Sequence, residues 1–300
     1  MSKKYLPYCD VFWPGSYPYT NAASACRLIL KNENVLLHWP QLPKKSKKER
    51  MIEQTVSSFK NLDGSFKRGS ASGFYKMLEL LKKNRRGKED FFKTQIAGPV
   101  TVFGKSFSKD SLLKKTDYWL KHAHFQIEAI QNADFHPIVV LDEPLLSGNQ
   151  KILRYLKKII KRLKKENAIA GIHCCNRISP TTLIQTDADL IHFDAVQFPS
   201  LIRSSFSDLQ KFLRQEGIIA WGIVPTTFVS SDLMEDKIEQ GFLSLLESLV
   251  SRDLSMKQIL SQSMISTTCG TGMLKNEQSM AVFECVSRIS KRIKKRYKLD

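Results

Sequence analysis

The sequence predicts an α/β chain closed as a (β/α)8 barrel, a TIM barrel, with residues 1–300 forming a single domain. Three observations predict it. Short apolar, β-prone runs recur eight times, an amphipathic helical stretch follows each of them, and polar, Gly, Pro, Cys and carboxylate residues gather just beyond the runs. In a barrel of this kind the chemistry belongs to the carboxyl ends of the strands, so the third observation has a place in the fold. A doubly wound open sheet shares the alternation, but no G-x-G-x-x-G follows the first run, which weakens a dinucleotide-binding version.

Taken in order, strands are expected near Tyr8–Trp13, Val35–Trp39, Phe92–Ala97, Ile138–Leu141, Ile169–His173, Leu190–Phe193, Ile218–Ile223 and Met264–Thr267. Between them lie the helical patterns "NAASACRLILKN", "SASGFYKMLELLKKN", "LLKKTDYWLKHAHFQIEAIQNA", "NQKILRYLKKIIKRLKKEN", "SPTTLIQT", "SFSDLQKFLRQEG" and "DKIEQGFLSLLESLVSRD". "NEQSMAVFECVSRISKRIKKR" closes the chain as a final helix. No low-complexity linker or internal repeat interrupts the series.

Composition narrows the function classes. With 300 residues, 42% of them hydrophobic, the chain can bury a large core. No apolar run approaches the roughly 20 residues that cross a bilayer, so no membrane partner is expected. The N-terminus lacks the apolar segment of a signal peptide. Six cysteines are too few for a disulfide framework and are expected as reduced thiols in a cytoplasmic protein. A formal charge of +18 invites a nucleic-acid reading. However, "LKKIIKRLKKE" (156–166) and "SKRIKKRYK" (290–298) interleave Lys and Arg with apolar residues at helical spacing, as on outer amphipathic helices. No nucleic-acid-binding signature accompanies them, so nucleic acid is not expected as the partner, whereas an acidic protein remains open.

The strand ends carry the chemistry. "HCCN" (173–176), "HFDAVQ" (192–197) and "TTCGTG" (267–272) place His173, Cys175, Asp194 and Cys269 at the mouths of neighbouring or near-neighbouring strands. One imidazole, two thiolates and a carboxylate make a tetrahedral zinc set, with a carboxylate that an incoming thiolate can displace. Zinc lowers the pKa of a bound thiol, which suits alkyl transfer to sulfur. Side chains alternate on a strand, so Cys174 is expected in the wall, and Cys9, Cys26 and Cys285 fall in apolar patterns that read as core. Asp142 and Glu143 end the fourth strand and could hold an amino group or act as a base, although Glu143 reads almost equally well as a helix N-cap or a salt-bridge partner of nearby lysines. Gly15 and Ser16 could offer donors to a carboxylate, and Asn176 and Gln197 could orient ligands.

The ordered series "GS-P", "GPVT", "LDEP", "H-x-C", "DADLIHFDA", "WGIV" and "CGTG" resembles the zinc-dependent catalytic barrel of cobalamin-independent methionine synthase, within the wider methyltransferase and uroporphyrinogen decarboxylase superfamily. The similarity runs from about residue 13 to 275. It implies Zn2+ held by His173, Cys175 and Cys269, with Asp194 where the family usually has glutamate. It implies homocysteine as the small thiol substrate, its carboxylate end at Gly15 and Ser16 and its amino group at Asp142. Asp142 and Asp194 are the carboxylates assigned to catalysis. Three departures bear on the methyl donor: the chain is too short for a second, N-terminal barrel, no acid follows "DEP" in "LLSGNQ", and "WGIVPTTFVSS" lacks a histidine. They favour a methylcorrinoid, delivered by a corrinoid protein partner, over methyltetrahydrofolate. The alternatives are a methylcobalamin:coenzyme M-type or uroporphyrinogen decarboxylase-like enzyme, and a non-catalytic corrinoid- or protein-binding barrel.

Overall fold

The computed structural model describes residues 5–83, 91–104, 109–226 and 235–299. Seven strands lie in one sheet within these residues: β1 (Val11–Phe12), β2 (Phe91–Ala97), β3 (His136–Asp142), β4 (Ile169–Cys174), β5 (Leu190–Asp194), β6 (Ile218–Val224) and β7 (Ser263–Thr267). Their order is β1-β7-β6-β5-β4-β3-β2, and every pairing is parallel. The helices are α1 (Ala22–Leu30), α2 (Met51–Ser58), α3 (Ser72–Lys83), α4 (Pro99–Phe103), α5 (Lys109–Gln131) and α6 (Gln150–Lys165). They continue with α7 (Pro180–Ile184), α8 (Pro199–Arg203), α9 (Phe206–Arg214), α10 (Glu235–Glu247), α11 (Met256–Ser261) and α12 (Asn276–Tyr297).

The expected second strand, Val35–Trp39, is not a ladder strand. It touches both edges of the curled sheet through isolated parallel bridges, Val11↔Val35 and His38↔Lys93. The cause is local. Tyr8 and Cys9 take positive φ of 44° and 62°, and Pro14-Gly15 follows shortly after, so β1 keeps only two extended residues for a neighbour to pair with. The described sheet is therefore a seven-stranded, TIM-like curl whose edges β1 and β2 are joined by one bridged segment.

Alternation along the strands sorts side chains into two cores. Phe12, Leu36, Ile138, Val140, Leu190, Ile218, Ala220 and Met264 fill the inside of the curl. The out-of-phase residues, Cys174 among them, pack between the sheet and the helices, as do Cys9, Cys26 and Cys285. A parallel sheet covered on both faces reads as continuous apolar runs, which is why the strands were visible in sequence. No helix of the described residues is long and apolar enough to cross a membrane.

Helix α6 shows how the basic runs are used. Asn149 caps it by accepting from the Lys151 and Ile152 N–H groups, and Asn167 leaves it at φ 61°. Leu153, Leu156, Ile159, Ile160 and Leu163 are buried, while the lysines and arginines between them face solvent. Leu156→Ala is expected to lower the unfolding free energy by about 2–5 kcal/mol, and Lys158→Ala to change it by less than about 0.5 kcal/mol, in urea titrations. Equal effects would remove the amphipathic account of the charge runs.

Candidate active site

Above the apolar floor of the curl lies a polar layer. The register pairs Asp142 with His173 and His173 with His192, so β3, β4 and β5 each contribute one inward side chain at the same height. Lys93 and Gln95 face it from β2, and His38 from the bridged segment. Phe12 forms the boundary: its ring stacks on His192 at 4.9 Å and receives the Lys93 ammonium at 5.0 Å. His192, Lys93, Gln95 and His38 are buried polar groups that the sequence reading did not single out. For His192 a signal existed, because a strand that points Asp194 inward also points the residue two before it inward.

Two thiols complete the cluster just beyond the strands. Cys175 lies one residue past β4 and in phase with His173, while Cys269 follows β7 by two residues. The Cys175 thiol donates to Cys269, and His173 shares a hydrogen bond with Cys269. These contacts, the Cys175 bond foremost, pull the Cys269 thiol down to about 4 against the opposing effect of burial. Cys175, as the donor of that bond and partly buried, is pushed up. The Cys269 loop is locked onto the loop after β1: Ser16 C=O accepts from the Thr271 N–H at 3.2 Å, and Ser16 Oγ from the Gly272 N–H at 3.2 Å. Gly15, at φ 136°, has a backbone that L side chains rarely adopt, and a Cβ there would meet Gln95 Cδ at 2.6 Å.

The two carboxylates after β3 differ. Glu143 is fully enclosed and accepts from the Val100 N–H (2.9 Å), the Thr101 N–H (2.8 Å) and the Thr101 hydroxyl (2.7 Å). It therefore closes the N-terminus of α4, and burial outweighs these bonds to push it up to about 7. Gly98 is small because of it: an added Cβ would lie 2.2 Å from Glu143 Oε1. Asp142 is buried too, yet its Oδ1 has no hydrogen-bond partner. Burial pushes Asp142 up, while His173 and Lys93 pull it back; burial pushes Lys93 down, opposed by Asp142. The Lys93 ammonium donates to the Pro14 carbonyl at 3.2 Å and to Gln95 Oε1 at 2.8 Å.

Asp194 is engaged by the backbone after its own strand. Its Oδ1 accepts from the Val196 and Gln197 N–H groups, both at 2.8 Å, which fixes the turn after β5. Asn176 donates to the Pro144 carbonyl and ties the loops after β3 and β4 together. Among the described residues, no three or more His, Cys, Asp or Glu side chains are arranged so that they could hold a metal ion as they stand. The donors nevertheless fit zinc in kind, and His173, Cys175 and Cys269 are already joined in pairs. A tetrahedral zinc site separates two sulfurs by about 3.8 Å, a separation close to that of a sulfur hydrogen bond. The residues 227–231 of "WGIVPTTFVSS" lie outside the described part of the chain.

Two outcomes check this geometry. Glu143→Ala leaves two buried N–H groups without an acceptor and is expected to cost at least about 2 kcal/mol of stability in denaturant unfolding; no loss would free Glu143 for a substrate role. Carboxamidomethylation of Cys269 is expected to be already thiolate-like at pH 6, since a lowered pKa leaves the anion present above it. Cys175→Ala removes the main cause and should move that profile toward higher pH; an unmoved profile would contradict the thiol pair.

No family model matches this chain, and no curated protein does. Twenty-seven chains of solved structures match it. One is a B12-independent methionine synthase from Shewanella sp. W3-18-1, in complex with selenomethionine, at 13% identity and a TM-score of 0.64. The match covers 97% of this chain and 98% of that one. At this identity the likeness shows the fold alone, shared over nearly the whole length of both chains.

Proposed function

We propose that the protein is a zinc-dependent methyltransferase that moves a methyl group to a small thiol, homocysteine, giving methionine, on a complete (β/α)8 barrel in which the bridged segment 35–39 is the eighth stave. The observation that carries this reading is the convergence of His173, Cys175 and Cys269 beside the unpartnered Oδ1 of buried Asp142. The fold likeness to a methionine synthase supports it. The residues that would hold the metal are His173, Cys175 and Cys269, with Asp194 as the fourth. When bound there, zinc lowers the pKa of a substrate thiol and presents it as a thiolate at neutral pH.

The chain's own groups do the rest. Asp142 Oδ1, an acceptor in want of a donor, takes the substrate's ammonium. His173 and then Lys93 oppose the burial that pushes this carboxyl up. Gly15 and Ser16, pinned against the Cys269 loop, receive the carboxylate end. Asp194, whose Oδ1 is engaged by two loop amides, would be the least firmly committed of the four donors. The substrate sulfur then attacks the methyl carbon in line, and the bond from carbon to the donor breaks. A methylcorrinoid carried by a partner protein is the donor this reading favours.

A non-catalytic barrel is the second reading, favoured by the lack of a ready-made metal arrangement among the described residues. Metal analysis separates the two. Purified protein is expected to hold about one zinc per chain, and Cys269→Ala and Cys175→Ala to hold far less. Zinc-free wild type after metal-protected purification would overturn the zinc methyltransferase reading. With homocysteine present, methionine is expected to form from methylcobalamin; formation from methyltetrahydrofolate alone would overturn the donor assignment.

A further inference from the structure

The buried imidazole of His192 has a job that neither the sequence series nor the zinc assignment gives it. Its Nε2 lies 3.0 Å from the Thr267 carbonyl oxygen, and its Nδ1 is hydrogen-bonded to His173 Nδ1. A carbonyl only accepts, so Nε2 of His192 carries a proton. Two ring nitrogens facing each other need one proton between them. Were it on His192, that ring would hold two protons and be a cation, fully enclosed and stacked on Phe12 with the Lys93 ammonium over the same ring. Burying an unpaired cation beside another is costly. The proton therefore belongs to His173 Nδ1, which donates to a neutral His192. That leaves Nε2 as the ring nitrogen of His173 that His192 does not engage.

We infer that His192 is a positioning residue: with the Thr267 carbonyl it fixes the Nδ1–H form of His173, so that Nε2 is the atom offered to the metal. The inference rests on the zinc reading for its purpose, though not for its hydrogen bonds. Metal-binding histidines usually donate their other N–H to a carboxylate, a carbonyl or water. Here the acceptor is a second imidazole, itself oriented by the backbone of β7. The relay runs Thr267 to His192 to His173 across β7, β5 and β4, with His192 reaching over the curl from a strand not adjacent to β7. A carbonyl acceptor in place of His192 would serve the same purpose, whereas an apolar side chain of similar bulk would not.

The test uses 15N-labelled full-length protein and Co2+ as the probe metal. In metal-free wild type, imidazole 15N spectra should show His173 protonated at Nδ1, His192 protonated at Nε2, and a coupling between the two Nδ1 atoms through the hydrogen bond. In Co2+ titrations followed by the thiolate-to-cobalt absorption, His192→Leu should bind about 10–100-fold more weakly than wild type. His192→Asn, which keeps an acceptor, should recover most of that loss, and thermal melts show which variants are folded. A His173 ring bare at Nδ1 overturns the inference without any metal being added. A folded His192→Leu that binds Co2+ as tightly as wild type also overturns it, while leaving the zinc reading intact. If wild type shows the coupling but takes up no Co2+, the zinc reading falls, and the metal-positioning role of His192 falls with it.

Discussion

The parallel register that sets Asp142 beside His173 and His173 beside His192 is the constraint on which the site depends. Side chains on a strand alternate with period two, so a slip of one residue in β4 would send His173 into the wall and bring Cys174 inward. The apolar floor guards against that slip. On β4 the floor position is Gly171, where a Cβ would already meet Val140 Cγ2 at 3.1 Å and Leu190 Cδ2 at 3.3 Å, so a slip that turned Ala170 or Ile172 inward would crowd the floor. The bottom of the curl thus fixes the chemistry at its top.

A polar layer inside a barrel is costly unless its members satisfy one another. Most of them do. Tyr17 and His38 share a hydrogen bond at 3.0 Å, Lys93 finds Gln95 and Pro14, and His192 finds His173 and Thr267. Burial holds His38 down to about 3, so it enters this network as a neutral ring. Against that background the unpartnered Oδ1 of Asp142 stands out as an acceptor prepared for something that arrives. Glu143, one residue on, shows the contrast: the same residue class at the same strand end is wholly spent on the α4 N-terminus.

Seven of the eight expected strands were legible because a parallel strand covered on both faces leaves a short apolar run. The eighth was misread as regular because apolar content shows burial but not how many ladder bonds a neighbour can offer; β1 offers two residues. In the site, His173, Cys175 and Cys269 were legible from residue type and strand-end position, and the placement of Cys174 from phase. The dual reading of Glu143 could not be resolved from sequence, since a cap and a ligand use the same carboxylate. Lys93 and His192 were hidden for a different reason. A lysine within a β-prone run reads as a solvent-facing residue, and a histidine two residues before an acid reads as filler, because alternation gives the phase of a side chain but not its height in the barrel.

The donors differ in how firmly they are held, and that bears on how a metal would be taken up. His173 is part of a ladder and has its ring fixed by His192. Cys175 is one residue free of the ladder. Cys269 rides a loop clamped at Thr271 and Gly272 by Ser16, and its own carbonyl accepts from the Thr267 hydroxyl at 2.7 Å. Converting a chain of pairwise hydrogen bonds into donors around one point needs small rotations of the sulfurs rather than of the imidazole. The Cys175–Cys269 bond is where that change would have to occur, since a bound metal would displace the proton the two thiols share. Asp194 is held by backbone amides instead of by this cluster, so its approach costs two hydrogen bonds. Under the zinc proposal, that cost would make the carboxylate the weakest of the four donors, the property required of one that an incoming thiol displaces.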